Sequence, residues 1–491
     1  MKSIDYIKII LDNCYIIRYF TNNENCIDYI NYILTLVFIK YITDTKKEKE
    51  IPFKIPDNAS FDYLFKKRNN EDIGNIINNA LILLEKENKK YFKDLFKNLD
   101  FNSDIIFGEN KNELLKSILD NINKVIFLPS FLEKNNIDKG EIFENIIKNF
   151  YEISRIRQNR NFYTPDYISS IISSLSSFVK KKPKSVYDPA CGSGSLLIHI
   201  AKKFKNIKIY GQEKDLNIYN ICRMNMYFNE IYDADLKLGD TIEDPKHVYN
   251  NKLMKFDIVV SVPPLIKTEI DYEKLINDKY NRFRYVLFKN MRLEQLFVQH
   301  MLESVKKDGV LFVVLPDRFL FSELKNYDII RKNLIEKNYI DSIVLLPNFI
   351  FIHYIMSKVI LILRKNKKTN NIMYIDLREV LDDVKDIYNE TDETPTYKRI
   401  RFKMILTITN SIIKKVLKLR KEYINLSYIV DLDEIKNNNY NLNPSIYINN
   451  KKLKEEKKLI LEKEDIIKEI KQKEKKIKKL DKKIKKLLSE L

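Results

Sequence analysis

The sequence predicts an α/β protein: a mostly parallel sheet with helices on both faces, between a helical N-terminal part and a helical C-terminal part. Three observations carry this. From about residue 160, short β-rich runs alternate with helical segments, the pattern of strands joined by crossover helices. Before that point, apolar residues recur at three-to-four spacing, as one face of a helix requires. Four of the eight glycines, Gly192, Gly194, Gly211 and Gly239, fall in one short window. In a glycine-poor chain these mark backbone geometry that other residues resist.

Taken in order, residues 1–135 are expected to form a helical domain, with "NCIDYINYILTLVFIKYI" and "IGNIINNALILLEKE" as its clearest helices. The longest apolar run, "YINYILTLVFI", is too short to cross a bilayer and reads as a buried helix. No signal peptide opens the sequence, so a cytoplasmic, reduced protein is expected. The four cysteines (Cys14, Cys26, Cys191, Cys222) and four histidines (His199, His247, His300, His353) lack metal-type spacing, and no metal site is expected.

Residues 136–400 form the second expected domain. It opens on the helical stretch "KGEIFENIIKNFYEISRI" and continues through "KSVYD", "IKIYGQE", "DLKLGD", "FDIVVS", "GVLFVVLP", "DSIVLLP" and "SKVILILRK" as strands. In such sheets ligands sit beyond the carboxyl ends of the strands, so the residues just after each strand carry the functional argument. A helical region is expected over 401–450 and a Lys/Glu-rich coiled-coil tail over 451–491. In the tail Ile470, Ile477, Ile484 and Leu491 recur every seven residues, and Glu474 and Asp481 interrupt the partner seam. A solvated single helix is the alternative there.

The formal charge of +19 suits a polyanionic partner. The chain is also rich in Lys, Asn, Ile, Tyr and Phe and has no Trp, a bias of AT-rich coding that inflates lysine. The charge alone leaves both readings open.

"SVYDPACGSGSLLIHIAKKF" reads as strand, glycine turn, helix. Asp188 ends the strand, Gly192 and Gly194 let the backbone approach a ligand, and the helix start at Ser195 offers free N–H groups. Alone, this turn fits a phosphate site or plain packing equally well. The next strand ends in Glu213, suited to a ribose diol. The third ends at Asp240-Thr241, with Asp240 suited to accept from an adenine amino group. The third glycine of the dinucleotide fingerprint is missing, so diol plus adenine without a pyrophosphate loop favours S-adenosylmethionine over NAD. Upstream, "RNFYTPDYISSIISSL" has Thr164 as expected N-cap and Pro165 as first helical residue. Phe162 and Tyr163 either wall the cofactor pocket or staple into the core.

These pieces, in this order, resemble the modification (methylase) subunit of type I restriction-modification systems, of the N6-adenine DNA methyltransferase group. The resembling segments are "KGEIFENII", "NFYTPDYIS", "YDPACGSGSLL", "YGQEKDLNIYNICRMNMYFN", "GDTIEDP", "FDIVVSVPPL", "LFVQHMLESVKKDGVLFVVLPDRFLF", "IRKNLIEKNYIDSIVLLP" and "NYNLNPSIY". The resemblance implies a Rossmann-like sheet dependent on S-adenosylmethionine. It also implies that cofactor is held by Asn161, Phe162, Tyr163, Thr164, Pro165 and Asp166, by Gly192, Ser193, Gly194 and Ser195, and by Asp188, Glu213, Asp240 and Thr241. Double-stranded DNA, a DNA-specificity subunit and a restriction subunit are the implied partners. Arg160, Asn161 and Ser195 depart from the family's usual residues.

The larger departure lies in the catalytic loop. By the resemblance, an Asn side chain and the following backbone carbonyl accept the hydrogens of the adenine amino group, a Pro-Pro pair fixes that carbonyl, and an aromatic residue stacks on the flipped base. This sequence reads Ser261-Val262-Pro263-Pro264-Leu265. Val262 accepts nothing, and Leu265 cannot stack as an aromatic would, a contact worth about 1–3 kcal/mol in single-strand binders. Losing an oriented polar group typically costs about 10²–10³ in rate. AT-rich coding favours Asn, Phe and Tyr, so compositional drift does not explain their loss. Ser261 is a candidate substitute, but strand alternation turns it away from Val262. An active adenine methyltransferase and a cofactor-binding pseudo-methyltransferase both remain, with an RNA or protein amide substrate as a third reading. The basic-aromatic stretch "DKYNRFRYVLFKNMR" suits nucleic acid at the cleft mouth, or a surface helix with snorkelling arginines.

Overall fold

A computed structural model describes residues 6, 8–12, 26–158, 163–179, 182–265, 271–289, 291–346, 357–378, 409–411, 413–423 and 426–447. Asn161, Phe162 and the 451–491 tail lie outside the described residues.

The N-terminal part is helical, as its periodicity requires. Helix α1 (Cys26–Lys46) runs through it; α3 (Lys111–Asn123) and α4 (Lys139–Gln158) pack on α1, and α2 (Ile73–Glu87) packs on α3. The run expected to be a buried helix is one: Ile33, Leu34, Leu36, Val37, Phe38 and Ile39 are all fully buried. No helix among the described residues is long and apolar enough to cross a membrane.

The sheet begins at β1 (Ser185–Asp188) and continues through β2 (Lys208–Glu213), β3 (Asp235–Leu238), β4 (Phe256–Ser261), β5 (Val305–Pro316), β6 (Ile340–Leu345), β7 (Lys358–Leu363), β8 (Asn371–Asp376) and β9 (Ser427–Asp431). Among the described residues these nine strands form one sheet in the order β9-β8-β6-β7-β5-β4-β1-β2-β3. Most pairs are parallel; β7 runs antiparallel to β5 and β6, and β9 antiparallel to β8. All seven expected strands are present. β8 and β9 were not expected, and β9 corrects the purely helical reading of 401–450: Ser427–Asp431 pairs with Asn371–Ile375 and extends the sheet.

One face of the sheet is covered by α5 (Asp166–Val179) and α6 (Ser195–Ala201), the other by α8 (Leu293–Ser304) and α9 (Lys325–Glu336). Helix α7 (Leu216–Phe228) joins sheet to helical part. Phe228 stacks on Tyr41 (4.2 Å) and Phe143 (4.1 Å), and Arg223 donates to the Lys93 and Tyr91 carbonyls.

The chain winds β1-β2-β3 one way and then crosses to β4 on the other side of β1. The winding direction therefore switches between β1 and β4, the kind of point outside whose carboxyl ends ligands bind in open α/β sheets. Asp188 ends β1, and Ser261-Val262 leaves β4.

Candidate active site

The glycine turn after β1 is held from three sides. Gly192 and Gly194 both have positive φ, 54° and 82°, where an L side chain is strained. A Cβ on Gly194 would also lie 2.8 Å from Cys222 Sγ, so the turn packs too closely on α7 for any side chain. The Gly192 N–H donates to Glu213 Oε2 (3.0 Å), joining the ends of β1 and β2.

Glu213 also accepts from the Lys214 and Asp215 N–H groups through Oε1 (2.8 and 2.9 Å). Burial raises its pKa and these three N–H groups oppose the rise. A carboxylate offers about four lone-pair sites; three are used, and one on Oε2 stays open for a hydroxyl donor. The residues present therefore fit a ribose.

Asp188 is buried and accepts from the Ala190 N–H (2.9 Å). Burial pushes its pKa up to about 7; the Ala190 N–H and the Ser261 hydroxyl pull it down, and Glu213 raises it. Ser261 thus neighbours Asp188, although the register pairs Tyr187 with Val259 and so sets Asp188 level with Val260, one residue before the serine. Its hydroxyl is close enough to favour the charged carboxylate, but it makes no hydrogen bond of ordinary geometry among the described residues.

Beyond β3, Asp240 caps its own turn, accepting from Ile242 N–H (2.9 Å) and Glu243 N–H (3.3 Å) through Oδ1, while Oδ2 pairs with Lys214 (2.8 Å). One Oδ2 lone pair stays open for an amino donor. Thr241, expected against the cofactor, is 3% exposed and donates to the Pro189 carbonyl (2.6 Å). It braces the glycine turn from behind.

The side chains of Ser193 and Ser195 likewise point inward. Ser195 donates to Glu144 Oε2 (2.7 Å) on α4, and the Ser193 and Ser195 hydroxyls lie 3.1 Å apart. Their side chains are thereby used up inside the protein, and only their backbone is left for a ligand. Upstream, Tyr163 donates to Asp166 Oδ1 (2.5 Å). The helix starts at Asp166, one residue later than expected, and the Pro165 carbonyl takes its first bond, from Ser169.

At the loop after β4, the position expected to carry the acceptor and the serine before it lie on opposite faces. Val262 packs with Ile258 and Val260 against the α5–α6 face; Ser261 shares the alternate side with Phe256 and Val259, which belong to the other core. Pro263 is buried and Leu265 half-buried. Arg292 donates to the Leu265 carbonyl (2.7 Å) and pairs with Glu294 (3.0 Å), which is fully buried.

Two arginines of the basic-aromatic stretch do not lie at the cleft mouth. Arg282 is 1% exposed: it donates to the Thr241 and Ile242 carbonyls (2.8 and 2.7 Å) and pairs with Asp278 (2.8 Å). It is an internal strut under the Asp240 turn. Arg284 reaches Glu303 (2.6 Å), at the end of α8 that feeds β5, on the edge opposite the loop. Glu144, Asn225, Arg282 and Arg292 were not singled out for these roles. The signal for the first was weak: one Glu on an amphipathic helix reads as a solvent-facing residue. No group of three or more His, Cys, Asp or Glu residues suited to a metal occurs among the described residues.

Two family models match the chain: N-6 DNA Methylase over residues 135–456 and the HsdM N-terminal domain over residues 21–122. The type I restriction enzyme MpnII methylase subunit of Mycoplasma pneumoniae is 31% identical over 415 residues, covering 79% of this chain and 73% of that protein. The MjaVIII methylase subunit of Methanocaldococcus jannaschii is 28% identical, covering 77% of this chain and 64% of that protein. In fold, the chain is similar to the type I restriction-modification methyltransferase subunit of Streptococcus thermophilus, with TM-score 0.74, 21% identity, and coverage of 90% of this chain and 98% of that one.

Proposed function

The chain belongs to the N-6 DNA methylase family, among the methylase subunits of type I restriction enzymes, and from that premise we propose that it binds S-adenosylmethionine at the glycine turn and serves adenine-N6 methylation of duplex DNA in a cytoplasmic complex with a DNA-specificity subunit. A restriction subunit completes the assembly in its cleaving form. The observation that carries this reading is the β1/β4 switch in strand order, with the glycine turn leaving β1 and the Pro-Pro loop leaving the neighbouring β4.

In this reading, backbone groups of Gly192–Ser195 approach the methionine end of the cofactor, Glu213 takes a ribose hydroxyl and Asp240 the adenine amino group. Tyr163–Asp166 would wall the pocket; Asn161 and Phe162, assigned to it by the resemblance, lie outside the described residues. The bound cofactor supplies an activated methyl group. The chain's own part is to hold the base amino group in line with that methyl and to take up its hydrogens. Pro263-Pro264 can fix a backbone acceptor for one hydrogen. Val262 offers no second acceptor, Leu265 no aromatic face, and Ser261 is turned to Asp188. We therefore read the chain as a methylase subunit with impaired turnover.

A second reading has an observation in its favour. Val262 packs among apolar neighbours on the α5–α6 face, where it contributes to the core, as befits a cofactor-binding subunit that has given up catalysis. The test is transfer of labelled methyl from S-adenosylmethionine to DNA by the reconstituted complex, beside Val262→Asn and Val262→Asn/Leu265→Phe. Robust transfer by the unaltered protein sinks the pseudoenzyme reading. Cofactor binding without transfer, relieved by the substitutions, sinks the reading as an active enzyme.

A further inference from the structure

Behind the glycine turn lies a buried polar network that joins three elements. Glu144, on α4, is 6% exposed. Its Oε2 accepts from Ser195 Oγ (2.7 Å) and its Oε1 from Asn225 Nδ2 (2.5 Å) on α7. Asn225 Nδ2 also donates to the Ser193 carbonyl (2.9 Å), so the same amide grips both the carboxylate and the turn. The hydrogens have a fixed direction. Ser195 spends its single hydrogen on Glu144, so it accepts from Ser193 across their 3.1 Å separation. Every hydrogen at Glu144 thus arrives from the turn or from α7, and the carboxylate is the acceptor on which the network ends.

We infer that Glu144 is a positioning residue: through Ser195 and Asn225 it sets the shape of the glycine turn, and so makes cofactor affinity depend on how the helical part seats against the sheet. This rests on the reading of that turn as the cofactor site. Residues 193 and 195 can present only their backbone to a ligand because Glu144 holds their side chains inward. Helix α4 packs on α1 and α7, within the aromatic core around Phe228, so displacement of the helical part pulls directly on the turn.

Accepting from both partners at once requires the ionised form. A proton on Oε1 sets a donor against the Asn225 amide, and a proton on Oε2 is met only if the Ser195 hydroxyl reverses and gives up its own hydrogen bond to Glu144. Burial raises the Glu144 pKa, His199 lowers it, and Asp166 raises it again, while the Ser195 and Asn225 hydrogens favour the charge. The turn is therefore best held above the raised Glu144 pKa and loosens as pH falls through it.

The test uses the full chain and S-adenosylmethionine, with affinity read by calorimetry across pH and folding read by urea unfolding. Glu144→Gln keeps the shape but replaces one acceptor by a donor. It is expected to weaken affinity roughly tenfold at neutral pH and to flatten its acid dependence. Ser195→Ala should weaken affinity similarly, and the double variant little further, because both remove one interaction. Glu213→Ala is the control for the site. If the unaltered chain does not bind the cofactor, or Glu213→Ala binds as well as it does, the site reading falls and the inference with it. If Glu213→Ala loses affinity while Glu144→Gln keeps both the unaltered affinity and its pH profile, the inference alone is overturned. A loss of urea stability in Glu144→Gln with unchanged affinity overturns it equally.

Discussion

The Arg292 guanidinium donates to the Leu265 carbonyl at 2.7 Å while its Nε pairs with the buried carboxylate of Glu294 at 3.0 Å. One side chain therefore anchors the exit of the Pro-Pro loop to the first turn of α8. Glu294 also accepts from Tyr327 (2.7 Å) and lies 3.4 Å from Arg318 Nη2, so it keeps partners when Arg292 is removed. Arg292→Ala should cost about 1–3 kcal/mol, the range for a lost charged hydrogen bond at a partly exposed group. The expected signature is a lower urea midpoint with an unchanged slope. Arg292→Lys should recover less than half, since a point charge cannot serve both acceptors. An unchanged midpoint for the alanine variant would mean that the loop is held by other contacts.

The glycine turn offers a prediction with two separable parts. Gly194→Ala meets a backbone penalty of about 1–2 kcal/mol at φ 82°, and its Cβ meets Cys222 Sγ at 2.8 Å and Met226 Cε at 3.0 Å. Cys222→Ala opens room for the Cβ without touching φ. Gly194→Ala should therefore destabilise strongly, and Gly194→Ala/Cys222→Ala should win back only the steric part. Full recovery in the double variant, measured by thermal unfolding, would show that φ is not the constraint.

Asp188 makes a prediction about pH. Its pKa is raised from 3.8 to about 7 by burial. The folded state therefore holds this proton more tightly than the unfolded chain. Its contribution to stability is full below about pH 4 and is lost as pH rises toward 7. At 1.36 kcal/mol per unit the ceiling is roughly 4 kcal/mol. Asp257 has the opposite sign: Lys306 and Ser185 help to lower its pKa against the effect of burial, so its contribution is lost as pH falls below its unfolded value. Asp188→Asn keeps an acceptor for the Ala190 N–H and removes the titration. Its stability relative to the unaltered protein should rise by a few kcal/mol, roughly, from pH 4 to pH 8. A pH-independent difference would show that Asp188 ionises in the fold as it does in the unfolded chain.

Periodicity made most of this architecture legible. Six of the seven expected strands and the main N-terminal helices follow from apolar spacing, because each buries one face or both; β3, whose residues are all at least partly exposed, is read from its place before the Gly239-Asp240 turn. Strands β8 and β9 escaped although β1 and β3 are shorter, because β1 and β3 lead into glycine turns and strand-end acids that flag them, and no such glycine turn flanks β8 or β9. Within the site, the strand-end acids were legible because topology puts them at the carboxyl ends of the strands. What could not be read was which charged groups face inward. Arg282 and Arg284 look alike in sequence, yet one is an internal strut and the other lies at the far edge of the sheet. The same holds for Glu144, whose role depends on Ser195 and Asn225, 51 and 81 positions away.

The departures in the catalytic loop give the sharpest prediction, because activity and stability should move in opposite directions. Val262 is packed against the α5–α6 core, so Val262→Asn puts an amide into an apolar setting, at a cost of about 1–3 kcal/mol. The same amide restores the oriented acceptor that the chemistry needs, worth about 10²–10³ in rate. Leu265→Phe adds a face for the flipped base, about 1–3 kcal/mol of stacking by comparison with single-strand binders. The double variant in complex should therefore melt earlier than the unaltered chain, bind S-adenosylmethionine equally well, and transfer methyl to DNA at least about a hundredfold faster. Ser261→Ala should leave transfer unchanged in either background, because its hydroxyl lies beside Asp188, on the face opposite Val262. If Ser261→Ala abolishes a measurable transfer by the unaltered protein, the serine has taken over as acceptor and the loop must rearrange on binding DNA.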